Sequence, residues 1–150
     1  DAVDFVGGDA DATSTVRSLT KLRRNPRVKS LLLRVDSPGG AVGPTQEIYR
    51  EILRFRRSGR KVVASLGSVA ASGGYYIASA ADKIYSYPGT VTGSIGVVIV
   101  LPNAEKILDT LGLRFTIIKS APFKDIGSPL RTLTDSDREC GSRENSNDFI

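Results

Sequence analysis

The sequence predicts an α/β domain built on a mainly parallel sheet with crossover helices, and three observations predict it. Apolar runs of strand length alternate with stretches of helical apolar spacing through most of the chain. The run "VKSLLLRVD" (28–36) is continuously apolar, as in a parallel strand buried on both faces. The 150 residues, 40% hydrophobic and 25% charged, suffice for one domain with a core of its own.

From Asp11 to Arg24, Val16, Leu19 and Leu22 recur at helical spacing, with Thr13 or Ser14 as the expected cap and Pro26 as the stop. The strand 28–36 breaks at "SPGG". Pro44 suits the first turn of a second helix, which carries Ile48, Ile52 and Phe55 near one face and ends at Gly59. "KVVASLG" (61–67) reads as the next strand, and 69–81 as a helix interrupted by two glycines. Short strands are expected at "KIYSY" (83–87) and "GVVIV" (96–100), then a helix over 103–111 ended by Gly112, then the strand "RFTIIKS" (114–120). "TDSDRE" has the composition of a helix start but is followed by no apolar face. Residues 1–139 are thus expected to form the domain, truncated at both ends, and 140–150 a disordered tail.

Composition removes several chemistries. Histidine is absent, which excludes Ser-His-Asp and Cys-His catalysis, histidine-bearing zinc sites and histidine pH switching. The single cysteine, Cys140, makes no internal disulfide. There is no methionine, so the chain is expected to derive from something longer. No phosphate loop, dinucleotide fingerprint or metal cluster is present, and no cofactor is expected. The net charge of +5 is concentrated in "KLRRNPRVK" (21–29) and "RFRRSGRK" (54–61). Both runs end helices, where cations favour the dipole, and nucleic acid is not an expected partner.

Serine hydrolysis needs an exposed hydroxyl, a base, and backbone donors for the oxyanion. Ser72 in "GSVAASGGYYIA" (67–78) follows a strand and turn, and Gly73 and Gly74 leave the N–H groups after it unobstructed. Close packing of small residues explains the same string equally well. "DSPGG" (36–40) ends the first long strand, at the sheet edge where parallel α/β proteins bind ligands. Gly39 and Gly73 are the candidate oxyanion donors. Without histidine the base is expected to be a lysine kept neutral by apolar surroundings. A free lysine titrates near 10.4, so this takes about three units of depression. In "SAPFKDIGSP" Lys124 has apolar neighbours, and Asp125 points away if the segment is extended. Lys119 competes with it, and either lysine fits an ordinary surface position as well. Thr92 and Ser94 in "TVTGSIGV" offer hydroxyls to orient an amine, although the stretch also reads as a strand with a glycine bulge.

"SPGG", "AASGGYYIA", "TGSIGV" and "KSAPFKDIGSP", in this order, resemble the signal peptide peptidase SppA (protease IV) family of the Clp-protease/crotonase superfamily, over about residues 8–139. The resemblance implies a Clp-protease/crotonase-like α/β fold and a serine protease with a Ser-Lys dyad. Ser72 falls at the nucleophile position, Lys124 at the general base, Gly39 and Gly73 at the oxyanion donors, and Ser94 at a serine that bonds the lysine amine. It implies peptide substrates, signal peptides among them, a homo-oligomer whose protomers can share the dyad, and an N-terminal anchor holding the parent to the extracytoplasmic side of a cell membrane. The anchor, part of the first family strand and the C-terminal helices are not matched. Two rival readings are a crotonase-type acyl-CoA hydratase or isomerase, which needs no Ser-Lys pair, and an inactive domain that binds peptides by strand addition.

Overall fold

The computed structural model describes residues 11–146. The described residues divide into two compact units, one ending at Gly96 and the other beginning at Val97. The proposed match near residue 8 and the last residues of the tail lie outside the described range.

In the first unit, α1 (Ala12–Arg24) begins two to three residues earlier than a cap at Thr13 or Ser14 implies. Asp11, not Thr13 or Ser14, is the cap, and its Oδ1 accepts the Ser14 N–H at 2.6 Å. Asn25 ends the helix by donating its N–H to the carbonyls of Lys21 and Leu22. Strand β1 (Ser30–Ser37) alternates: Leu31, Leu33 and Val35 are buried, whereas Leu32 is 37% exposed. The expected burial on both faces is therefore corrected to one face, since α1, α2 and α3 share a single core cluster with these three side chains. Helix α2 (Val42–Arg57) seats Ile52 and Phe55 in that core with no exposed surface, and Gly59 at φ +82° turns the chain out of it.

Strand β2 (Lys61–Ala71) is longer than predicted and takes 69–71 from the expected helix, leaving α3 as Gly73–Ser79. β1 and β2 run parallel, pairing Leu31 with Val62, Leu33 with Ala64 and Val35 with Leu66. Two short parallel strands complete the sheet, β3 (Lys83–Tyr85) against Val63–Ser65 and β4 (Val91–Gly93) against Val69–Ala71. Glu51 is 1% exposed yet satisfied: its carboxylate accepts from Arg23 Nε at 2.8 Å, Arg54 Nη1 at 3.1 Å and Thr20 Oγ1 at 3.1 Å. Burial raises its pKa, but these partners together outweigh burial and hold it below the ordinary value.

The second unit holds α4 (Glu105–Thr110) and α5 (Asp135–Ser146), and α5 runs past Cys140 into the segment expected to be a disordered tail. Gly112 at φ +68° follows α4 as predicted. Neither 96–100 nor 114–120 forms a strand. Val98, Val100 and Ile118 are at least 84% exposed. β propensity expresses itself only against a paired, packed neighbour, and among the described residues these segments have none. No helix of the described residues is long and apolar enough to cross a membrane.

Candidate active site

The parallel sheet sends β1 and β2 to the same edge, and the register changes just before they reach it. Val35 pairs with Leu66 but Ser37 with Ala70, so β2 spends four residues where β1 spends two. Asp36 fills this bulge. Its Oδ1 accepts the Val69 N–H at 3.0 Å, and a Cβ on Gly67 would meet its Oδ2 at 2.6 Å, so only glycine fits at 67. Beyond the bulge β2 takes β4 as partner. Thr90 and Thr92 brace it by donating their hydroxyls to the carbonyls of Gly67 at 2.9 Å and Ala70 at 2.8 Å. The Thr92 hydroxyl proton is thereby committed to the Ala70 carbonyl.

Ser72 stands at the corner between β2 and α3 with φ 51° and ψ −120°, outside the regions open to ordinary L-residues. Such backbones cost of order 1–3 kcal/mol and persist where the surroundings over-determine them. Here they do: the Ser72 N–H donates to the Gly93 carbonyl at 2.8 Å, and the Ser72 carbonyl accepts the Tyr76 N–H at 2.9 Å. The side chain is half-buried, at a strand-to-helix turn of the kind that presents a nucleophile.

Both glycine-rich breaks meet there. Gly39 has φ +109°, and a Cβ on it would lie 2.9 Å from the Gly73 nitrogen and 2.9 Å from Ser72 Cβ. The absence of a side chain at 39 is what lets the two loops touch. A Cβ on Gly74 would lie 2.6 Å from the Ser37 carbonyl oxygen, so the next residue is confined as well. Gly73 opens α3, and among the described residues its N–H has no acceptor. The Gly39 N–H donates to Ser37 Oγ at 3.2 Å, a long bond that sequence reasoning missed. Ser94 directly follows Gly93, the acceptor of the Ser72 N–H, and it too has positive φ, at 52°. The first unit thus assembles Ser72, Gly39, Gly73 and Ser94.

Lys124 belongs to the second unit. It lies in a series of turns, not in an extended segment, and is exposed together with Ala121, Pro122 and Phe123. The expected apolar enclosure of the amine is therefore not formed within this unit, because a turn sends neighbouring side chains outward together. The expected separation from Asp125 is achieved by other means. Asp125 accepts from Lys119 Nζ at 2.8 Å and from Arg131 Nε and Nη2 at 2.8 and 2.9 Å, while Arg131 also binds Asp137. Lys119 donates further to the Pro122 carbonyl at 2.9 Å. Arg131, and then Lys119, hold the Asp125 carboxyl well below the ordinary range; Arg131 and the Thr134 N–H do the same for Asp137.

These depressed carboxyls make a pH prediction. Groups more acidic in the folded than in the unfolded state stabilise the fold above the unfolded pKa, near 4, and that contribution declines as pH falls below it. Hydrogen-exchange protection over 121–137 should be constant from pH 7 to about 5 and fall progressively below about 4. Arg131→Gln should lower it already at neutral pH. Protection in the unsubstituted chain that stays level into strong acid would contradict this.

Comparison with known proteins assigns the chain. The family model described as Peptidase family S49 matches residues 54–147, and that described as Clp protease matches 6–92. The chain belongs to peptidase family S49. Its sheet and helices agree with the Clp protease-like α/β fold. Protein slr0021 of Synechocystis sp., named as a candidate protease, is 42% identical to this S49 chain over 125 residues, covering 83% of the chain and 45% of the relative. Protease 4 of Salmonella typhi is 40% identical over 121 residues, 81% of the chain and 19% of the relative. The chloroplastic serine protease SPPA of Arabidopsis thaliana is 33% identical over 129 residues, 85% of the chain and 19% of the relative. The S49 chain therefore spans less than half the length of these relatives.

Proposed function

We propose that this chain is the catalytic portion of a serine endopeptidase that uses a Ser-Lys dyad, with Ser72 as nucleophile and Lys124 as general base. The observation that carries the reading is the strained backbone of Ser72 at the strand-to-helix corner, with Gly39 and Gly73 against it. The neutral Lys124 amine takes the Ser72 proton as Oγ attacks a peptide carbonyl, and the Gly39 and Gly73 N–H groups receive the oxyanion. The carbonyl oxygen replaces Ser37 Oγ as the acceptor of Gly39, which the length of that bond makes inexpensive. Collapse expels the amine, which takes its proton from the Lys124 ammonium, and leaves an acyl-enzyme. Lys124 then deprotonates the water that hydrolyses the ester, and Ser94 orients the lysine amine throughout.

The chain acts as a homo-oligomer, and Lys124, exposed on its own unit, gains its enclosure on meeting a Ser72 of the same or of a neighbouring copy. The substrates are peptides, signal peptides among them, as the name of the Enterococcus faecium relative suggests. The full-length protein would meet them at the extracytoplasmic side of a cell membrane, held by an N-terminal anchor.

A fluorophosphonate probe tests the assignment. One adduct should form, on Ser72, and none on Ser72→Ala. A chain that stays unlabelled overturns the reading in favour of a hydratase-like or peptide-binding site, neither of which needs an activated serine.

A further inference from the structure

The two basic runs of the sequence are far apart along the chain but not in space. Because β1 and β2 are parallel, α2 must carry the chain back from the Ser72 edge of the sheet to the edge where the strands begin. The C-terminal ends of α1 and α2 therefore share the edge where Ser30 pairs with Lys61. Arg60 joins them directly. Its Nη1 donates to the carbonyls of Leu22, Asn25 and Val28 at 3.1, 3.1 and 3.2 Å, and its Nη2 donates to that of Arg23 at 2.5 Å. "KLRRNPRVK" and "RFRRSGRK" are thus one continuous cationic face, with ten cations between them.

Only part of this charge is compensated. Glu51 takes Arg23 and Arg54, and Asp82 takes Arg56 and Lys61. Lys21, Arg24, Arg27, Lys29 and Arg57 are exposed and have no carboxylate partner among the described residues. Helix dipoles account for the cations of the last turns, but that effect fades within a turn, and Arg27 and Lys29 lie beyond α1. A cleft of about 310 Å³ opens in the same face, lined by Arg56, Arg57, Arg60 and Lys61, with Asp82 as its carboxylate.

We propose that this face docks on an anionic lipid bilayer through its five exposed, uncompensated cations. Five uncompensated cations on one face repel one another and await an anionic surface. Their setting favours a bilayer over nucleic acid. Phe55, the aromatic residue of the two runs, is fully buried, so the runs offer no stacking platform for bases. The exposed cations sit in the last turns of α1 and α2 and in the segment after α1, not along a single helix that could enter a groove. Docked in this way, the chain holds Ser72 at the far end of β2, roughly 30 Å from the lipid and open to the aqueous side. The proposal is independent of the chemistry at Ser72.

Vesicle co-sedimentation of the whole chain tests it. Binding to phosphatidylcholine vesicles containing about one-third phosphatidylglycerol should exceed binding to neutral vesicles about tenfold or more, and should vanish in about 0.5 M salt. The variant Arg24→Glu/Arg27→Glu/Arg57→Glu, with its fold checked by circular dichroism, should lose this binding, whereas Lys106→Glu/Arg114→Glu in the second unit should keep it. Equal binding to neutral vesicles, or insensitivity to salt, overturns the proposal and assigns the contact to exposed apolar side chains. Retention of binding by the triple variant overturns it too. Tighter binding of a DNA duplex than of the anionic vesicles overturns the choice of lipid.

Discussion

Replacing Lys124 by alanine should lower peptide hydrolysis about 10²–10⁴-fold, the range that a positioned general base supplies. With Lys124 as the proposed base, Lys119→Ala should cost less than about tenfold. The two lysines are close in sequence, and the structure separates them chemically. The Lys119 ammonium donates to the Pro122 carbonyl at 2.9 Å and to the Asp125 carboxylate at 2.8 Å, so its donors are engaged within its own unit. Lys124 has no acceptor among the described residues, and the acidic neighbour that would oppose its role is turned toward Lys119 and Arg131. Lys124→Arg sharpens the test. A guanidinium keeps the positive charge but does not give up its proton, so it should be as inactive as alanine if the residue is a base. Substantial activity in Lys124→Arg, measured as kcat/KM on a fluorogenic peptide, would assign the residue an electrostatic role only. If Lys119→Ala is the inactive variant and Lys124→Ala the active one, the base role passes from Lys124 to Lys119.

What could be read from the sequence follows from how local each cause is. Helices α1 and α2 and strand β1 were legible because their apolar spacing, their stops at Pro26 and Gly59 and their core contacts lie in the same short windows. The path of the chain into Ser72 was not. Whether "VAAS" continues a strand or starts a helix depends on Asp36, which lies over thirty residues earlier and fills the bulge opposite Gly67. No local propensity contains that pairing. The proximity of Gly39 to Gly73 was anticipated from two glycine-rich breaks following strands. The hydroxyl of Ser37 on the Gly39 N–H was not, although a serine two residues before a glycine is a local signal for such a turn. In the second unit "GVVIV" and "RFTIIKS" read as strands for a sound reason, their β-branched content, yet a strand exists only as half of a pair. Lys124 marks a similar limit. Apolar neighbours in sequence suggested a dry amine, but in a turn those neighbours stand beside it in solvent.

Gly39→Ala should reduce kcat about 10²–10³-fold, the cost of removing one oxyanion donor, with KM little changed. Two causes act together. The φ of +109° is strained for any residue with a Cβ, at about 1–2 kcal/mol. The new methyl would also stand 2.9 Å from both the Gly73 nitrogen and Ser72 Cβ and 3.1 Å from the Ala71 carbonyl oxygen. These are backbone atoms and the root of the nucleophile, so relief comes only by moving the loops apart. The Gly39 N–H then moves away from Gly73 and from the oxyanion position proposed between them. Gly40→Ala is the matched control: a Cβ there meets nothing within 4 Å, and the rate should change less than about threefold. Stability and catalysis are separated by urea unfolding of the same variants. Where urea unfolding shows Gly39→Ala still folded under assay conditions, a 10²-fold or larger fall in kcat arises at the site and not from lost folded protein. That distinction is decisive, because a donor that serves only the oxyanion contributes nothing to binding the planar ground-state carbonyl. Were KM to rise while kcat held, the apposition of Gly39 and Gly73 would be serving substrate binding, and the oxyanion role would have to be given up.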